Sequence, residues 1–283
     1  MKFSIVTPSF RQPEWLRLCM ASVTDQEGVD VEHIIQDNCS GPEVERTVRA
    51  FSKARLHVEK DEGMYDAVNK GLRRANGDVC AYLNCDEQYL PGALQRVRDY
   101  FAAHPSVDVV FADAVILDSD GRYVCSRQVV LPLCCHTMVC HLSILTCATF
   151  FRRSVIEKKG LYFDSRWKDL GDSVWVLSLL GYKVKMGILR FYTTAFTDTG
   201  DNMNMKPNAR REAGEIRDMA PRWAVRMARL LVLHHRFRRL LRGLYWPSPF
   251  SCAVYTASSP AKRVTVEVSN PTFLWKERLS WTQ

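Results

Sequence analysis

The chain of 283 residues carries 47% aliphatic, aromatic and sulfur side chains and 25% charged ones, which excludes a disordered chain, a collagen-like fibre and a miniprotein that needs cross-links to fold. Its formal net charge is +8, and that surplus is local: residues 206–246 hold eleven basic and three acidic side chains, while the rest of the chain holds twenty-eight of each sign. A basic C-terminal region is therefore joined to a neutral body, and no RNA- or DNA-binding motif accompanies it, so no nucleic acid is expected as a partner.

Taken in order, residues 3–7 form a short apolar run stopped by Pro8 and Ser9, which predicts a first buried strand. Within residues 12–26, Trp15, Leu16, Cys19, Met20 and Val23 fall at helical spacing. Residues 31–36 predict a second strand that ends at Asp37. Gly41-Pro42 then opens a helix over 43–51. Residues 56–58 predict a third strand, 64–75 a helix stopped by Gly77-Asp78, and 79–83 a fourth strand. A helix over 91–103 has Pro near its first turn, and 107–111 predicts a fifth strand. Five alternations of strand and helix mean an α/β fold with a doubly wound, mostly parallel sheet. Ligands of such sheets sit at the carboxyl ends of the strands, where this chain places Thr7, Ser9, Asp37, Asp61, Asn84 and Asp86.

Beyond residue 112 the pattern changes. Residues 114–128 alternate around Asp118-Ser119-Asp120-Gly121, a hairpin signal. Residues 128–151 contain no Asp, Glu, Lys or Arg and are long enough to cross a bilayer, but Pro132, two histidines and several hydroxyl residues favour a buried strand and loop. Helices are expected over 154–159 and 172–180, a strand over 183–192, a mostly helical stretch over 208–244 broken at Pro221, and a late strand over 264–268. The N-terminus shows no long apolar stretch and no small-residue cleavage site, so no leader is expected. The ten irregularly spaced cysteines read as reduced, mostly buried thiols, and Cys134-Cys135-His136 with Cys140-His141 lacks the paired spacing of a zinc site. No GxGxxG, GxxxxGK[ST] or GxSxG element is present.

What remains is acidic. Leu83-Asn84-Cys85-Asp86-Glu87 ends a strand with carboxylates in a short loop, the type of oxygen donor that Mg²⁺ or Mn²⁺ shares with substrate phosphates. Asp61-Glu62-Gly63-Met64-Tyr65-Asp66-Ala67-Val68-Asn69-Lys70-Gly71, then Ala75-Asn76-Gly77-Asp78, then the acidic loop, resemble family 2 glycosyltransferases of GT-A fold, whose pattern runs D-x-G-x-x-D-A-x-N-K-G, A-x-G-D, L-N-x-D-D. The opening Val6-Thr7-Pro8-Ser9-Phe10, Ser22-Val23 with Gln26, and Asp37 with Ser40 also fit. The resemblance covers residues 3–190.

That resemblance implies an inverting transferase of the bacterial glycan or polysaccharide biosynthesis type. It would move a sugar from a nucleotide-diphosphate donor to a hydroxyl of a glycan or lipid-linked glycan. Donor binding falls to Thr7, Pro8, Ser9, Asp37, Asp61, Asp66, Asn69, Lys70, Asn84 and Cys85. Asp86 is the implied ligand of a divalent metal, Mn²⁺ or Mg²⁺. Glu87 stands where the family has a second aspartate, and Asn84 replaces the first. The implied base is Asp172, at a predicted helix start, with Asp169 as runner-up; Asp172 serving only as a helix cap is the alternative. Asp113 and Trp167 are expected near the acceptor. Thr199-Gly200-Asp201-Asn202 reads as a turn or as a loop over the diphosphate. A silent nucleotide-sugar binder and a basic membrane or nucleic-acid adaptor are the rival functions.

The expected division is a transferase domain over 1–205 and a basic, helical extension over 206–283. Residues 222–246 mix Trp223, Met227, Leu230, Leu231, Leu240, Leu241 and Leu244 with seven arginines. That composition suits either an anionic membrane surface or a helix packed on the body. The expected location is cytoplasmic, peripheral on the inner face of a membrane in the first case.

Overall fold

The computed structural model describes residues 1–140, 142–200 and 207–275. Its first strand, β1 (Lys2–Ser9), lies at the centre of the parallel part of the sheet. Phe3 to Thr7 are fully buried, because helices cover both faces, and this is why Phe3, Ile5 and Val6 do not alternate with exposed polar residues. Helix α1 (Pro13–Thr24) starts with Pro and Glu in its first turn, a fixed φ and a negative charge that both suit a helix N-terminus. It leads to β2 (Asp30–Asp37), α2 (Pro42–Arg49), β3 (Ala54–Val58), α3 (Met64–Arg74) and β4 (Val79–Tyr82). Helix α3 packs directly on β1 because Gly71 has no side chain; a Cβ there would overlap Val6.

The chain continues through β5 (Glu87–Tyr89), α4 (Ala93–Ala103), β6 (Val109–Asp118), β7 (Tyr123–Arg127), α5 (Cys134–Val139), β8 (Thr149–Arg152), α6 (Ser154–Glu157), α7 (Gly171–Gly181) and β9 (Met186–Asp198). The nine-stranded sheet has the order β3-β2-β1-β4-β8-β6-β9-β5, with β7 paired to β6. Strands β1, β2, β3, β4, β6 and β9 share one direction and β5, β7 and β8 run against them. The sheet is thus mostly parallel, as expected, with an antiparallel strand threaded between β4 and β6. One face of the core packs Tyr65, Val68, Tyr82, Phe151 and Trp175; the other packs Phe3, Ile5, Cys19, Leu94 and Phe150.

The uncharged stretch 128–151 is cut into α5, a 3₁₀ turn (Thr146–Ala148) and β8, and among the described residues no helix is long and apolar enough to cross a membrane. None of the ten cysteines is in a disulfide, and six are buried. No group of three or more His, Cys, Asp or Glu side chains gathers into a metal site among the described residues; His141 lies outside them.

The basic region forms α8 (Pro207–Asp218), α9 (Arg222–Arg226) and α10 (Ala228–Leu240), with the break at Pro221 as expected and a second one at Met227. The extension is not helical throughout. The expected late strand belongs to a hairpin, β10 (Phe250–Thr256) with β11 (Ser259–Val268), which folds back on the body: Gln88 pairs with the Tyr255 backbone at 2.8 Å on each side, and Arg263 bridges Asp25 at 2.6 Å. The expected boundary between residues 205 and 206 lies outside the described residues, as do Asp201 and Asn202.

Candidate active site

The acidic loop sits where β4 ends. The Glu87 carboxylate accepts the Asn84 amide at 2.7 Å and the Glu87 amide donates to the Asn84 carbonyl at 3.1 Å. This closes a tight turn. Cys85 is buried, and its thiol donates to the Pro8 carbonyl at 3.2 Å, so it anchors the turn to β1 and does not face a ligand. Asp86 is left partly buried with no basic side chain paired to it among the described residues. Burial pushes the Asp86 carboxyl above its usual range. Burial also raises Glu87, and the neighbouring Asp86 charge raises it further. Two adjacent acids held against their own repulsion, with no positive partner among the described residues, fit a hard divalent cation.

The loops after β1, β2 and β3 are laced together beside this turn. Asp37 accepts the Ser40 amide at 2.7 Å and its hydroxyl at 2.6 Å, which explains the D-x-x-S spacing: the serine is the aspartate's own turn partner. The Asn38 amide donates to the Ser9 carbonyl at 2.9 Å, and the Asn38 side chain accepts the Asp61 amide at 3.1 Å. Asp61 in turn accepts the Gly63 amide at 2.9 Å; burial raises its carboxyl, with that bond and Lys70 opposing.

Several residues expected to touch the donor are engaged by other parts of the chain. Thr7 is fully buried and its hydroxyl meets His33 Nε2 at 2.8 Å, because its place in the pleat points it into the core. Asp66 accepts the Glu62 amide at 3.0 Å and pairs with Lys70 at 3.2 Å, while Lys70 also donates to the Lys60 carbonyl. Both tie the start of α3 to the loop before it. Asn69 donates to the Phe163 carbonyl at 2.7 Å and accepts the Phe163 amide at 3.0 Å. Its side chain is saturated by backbone from a segment ninety-four residues away, and so holds that segment on α3. Asn69→Ala should therefore act on stability, leaving two buried backbone groups unpaired at about 3 kcal/mol. Chemical denaturation of the variant checks this; an unchanged midpoint would contradict it.

The expected base stands at the start of α7. Its carboxylate accepts the Ser173 amide at 2.7 Å and its own amide donates to the Tyr65 hydroxyl at 3.1 Å. Tyr65 can approach only because residue 171 is glycine: a Cβ there would stand 2.7 Å from the ring. Burial pushes the Asp172 carboxyl up to about 6, against hydrogen bonds from Ser173 and Tyr65. The buried Tyr82 phenol lies within the field of both Asp172 and Glu87, so the start of α7 and the acidic turn flank one end of β4.

Sequence reasoning missed what holds this helix start in place. Glu212 on α8 is 1% exposed and accepts three successive amides, Lys168 at 2.7 Å, Asp169 at 3.0 Å and Leu170 at 2.8 Å. Asn208 donates to Glu212 at 2.9 Å and to the Asp169 carboxylate at 2.8 Å, so the runner-up Asp169 is engaged in the support. The sole signal was that Glu212 is one of three acids in a basic segment. Lys168 reaches across to the Glu62 carbonyl at 2.6 Å and thereby joins the base loop to the donor loop. Trp167 is partly buried beside them. Asp113 is buried at a bulge in β6, where its carboxylate accepts the Val129 amide at 2.8 Å and pairs with Arg190 at 2.9 Å. With Arg190, Tyr192 and Phe250 it lines a cavity of about 490 Å³.

A mostly parallel sheet with an acidic turn at the carboxyl end of β4, and a carboxylate at a helix start beside it, define the GT-A class of α/β transferases. The chain belongs to glycosyl transferase family 2, whose profile matches residues 4–158. It is 27% identical over 176 residues to a PGL/p-HBAD biosynthesis glycosyltransferase of Mycobacterium tuberculosis, a match that takes in 60% of this chain and 66% of that protein, just under two thirds of its length. It is 30% identical over 123 residues to the putative teichuronic acid biosynthesis glycosyltransferase TuaG of Bacillus subtilis, covering 42% of this chain and 48% of that one. In fold it is similar to S. aureus TarS 1-349 in complex with UDP-GlcNAc, with a TM-score of 0.59 at 18% identity over 76% of this chain and 64% of that one. It also resembles the mannosyltransferase PcManGT of Pyrobaculum calidifontis in complex with GDP-Man and Mn²⁺, with a TM-score of 0.53 at 12% identity over 86% and 79%. Likeness at such identities speaks for the fold alone.

Proposed function

We propose that the chain is an inverting glycosyltransferase that moves a sugar from a nucleotide-diphosphate donor to a hydroxyl of a glycan or lipid-linked glycan. The observation that supports this reading is the placement of two acidic groups around the end of β4, the Asp86-Glu87 turn and Asp172, with the Tyr82 phenol within the field of both Glu87 and Asp172. Two relatives' names, a PGL/p-HBAD biosynthesis glycosyltransferase and a putative teichuronic acid biosynthesis glycosyltransferase, support the substrate class.

In this reading the loops around Pro8, Ser9, Asp37 and Asp61 take the nucleoside, with Asn84 beside them. Asp86, with Glu87 behind it, would hold Mn²⁺ or Mg²⁺. When bound there the ion supplies positive charge to the leaving diphosphate. Asp172 takes the proton of the acceptor hydroxyl as its oxygen attacks the anomeric carbon from the face opposite the diphosphate. The acceptor side is assigned to Trp167 and to Asp113 with Arg190 on the cavity wall. The transferase domain is taken as residues 1–205, with Glu212 lent by the extension.

A thermal-shift screen of UDP, GDP and their sugars with Mn²⁺ tests the function. One of them should stabilise the protein by about 2.7 kcal/mol at a hundredfold excess over its Kd; a chain that responds to none does not bind such donors. The base assignment adds a pH dependence. Asp172 works only when deprotonated, and its pKa is pushed up to about 6, so activity is gained as pH rises through that value. At saturating metal, kcat/KM should be roughly tenfold lower at pH 5 than on the plateau above pH 7. A profile flat from pH 5 to 8 would remove Asp172 from the role.

A further inference from the structure

Helices α9 and α10 turn a continuous apolar stripe away from the body. Trp223, Met227, Leu230, Leu233, Phe237 and Leu240 are 45–61% exposed. They follow one another at steps of four, three, three, four and three residues, which is a single helical face carried across the break at Met227. Large side chains of this kind are seldom left in water over so long a row.

The opposite side of α10 is fastened down. His235 is buried, Arg238 donates to the Leu131 carbonyl at 2.8 Å, Arg239 donates to the Gln128 carbonyl at 2.9 Å, and His234 meets His136 at 3.0 Å. The stripe is therefore presented by a helix docked on the body. Arg222, Arg226, Arg229 and Arg236 each precede a stripe residue by one position and so line one edge of it. These four, together with Arg242, are exposed and have no ion-pair partner among the described residues.

We infer that this face docks on an anionic phospholipid bilayer, with the aromatic and aliphatic side chains entering the interface and the arginine row meeting lipid phosphates. Charge selects the occupant. Residues 219–266 contain no Asp or Glu at all. A second copy seated on the stripe would gather the arginines of both chains with no acid between them. A nucleic acid would satisfy the arginines but press phosphates against leucine and phenylalanine. An anionic bilayer offers phosphates at the rim and hydrocarbon beneath, which matches both halves of the surface. The inference stands apart from the transferase reading, because it predicts membrane binding whether or not the chain turns over a sugar.

The test is flotation of the full chain with vesicles of phosphatidylcholine alone and of phosphatidylcholine with about 30% phosphatidylglycerol. Binding to the anionic vesicles should be at least tenfold stronger, and should fall with salt. A stripe variant, Leu230→Gln with Leu233→Gln and Phe237→Gln, and a row variant, Arg222→Gln with Arg226→Gln and Arg229→Gln, should each lose at least tenfold in binding while melting within a few degrees of the parent. Quenching of tryptophan fluorescence by brominated lipid in the parent, reduced in Trp223→Phe, provides a readout that does not depend on those variants folding. No preference for anionic vesicles would overturn the inference. So would a stripe variant that binds as the parent does, since charge alone would then suffice. Self-association of the parent, lost in the stripe variant with no vesicle binding in either, would assign the face to a second copy.

Discussion

Asp172→Asn should lower glycosyl transfer by about a thousandfold, roughly 4 kcal/mol at the transition state, while donor affinity stays within about a factor of two. The amide oxygen can still accept the Ser173 amide, the bond that Asp172 makes at 2.7 Å. The contact between its main-chain amide and Tyr65 involves no side-chain atom that the substitution changes. The geometry of the helix start is therefore kept, and what goes is a group able to take a proton. The split is diagnostic: kcat should collapse and KM for the donor should not move. If Asp172→Asn retained full transfer activity, the carboxylate would be a helix cap and nothing more.

Asp86→Asn should reduce metal-dependent turnover by at least about a hundredfold, through the loss of a charge aimed at a diphosphate-bound cation rather than through misfolding. Asp86 makes no ion pair among the described residues, and burial disfavours its charged form. The neutral, isosteric asparagine should therefore leave the unliganded protein at least as stable as the parent. Loss of turnover together with loss of folding would instead mark Asp86 as structural. A full rate in the variant, with or without Mn²⁺, would remove the acidic turn from the donor site.

Much of this architecture was legible because its signals are local. The run from Phe3 to Thr7, the Gly77-Asp78 stop and the apolar spacing of the α1 segment each lie within one element. The sheet that they build brings the acidic loop to the end of β4 without further information. Strand β5 was not legible and β8 only as an unplaced strand within 128–151, since three and four residues carry no periodicity and become strands only by pairing with β9, β4 and β6. The hairpin partner β10 was missed in the same way. At the site, Asp86 and Asp172 were placed by motif and capping pattern, both short-range. Asn69 and Glu212 belong to a different class, because what they do depends on backbone ninety-four and about forty residues away. Asn69 matched the family pattern and was read as a donor contact. Its physical task, holding the Phe163 segment on α3, has no sequence signature. The charge surplus divides similarly: its location in residues 206–246 is plain in the sequence, but only the fold separates Arg238 and Arg239, which grip the body, from the row that faces outward.

In the proposed mechanism the turn ending β4 is where a nucleotide diphosphate and a divalent cation meet. Calorimetric titration of the nucleoside diphosphate selected by the screen, into the parent and into Asp86→Asn, with Mn²⁺ and with chelator, tests it most directly. Binding by the parent should be at least tenfold tighter with Mn²⁺, and that metal-dependent gain should be lost in Asp86→Asn. Equal affinity of the two proteins in the presence of Mn²⁺ would contradict it.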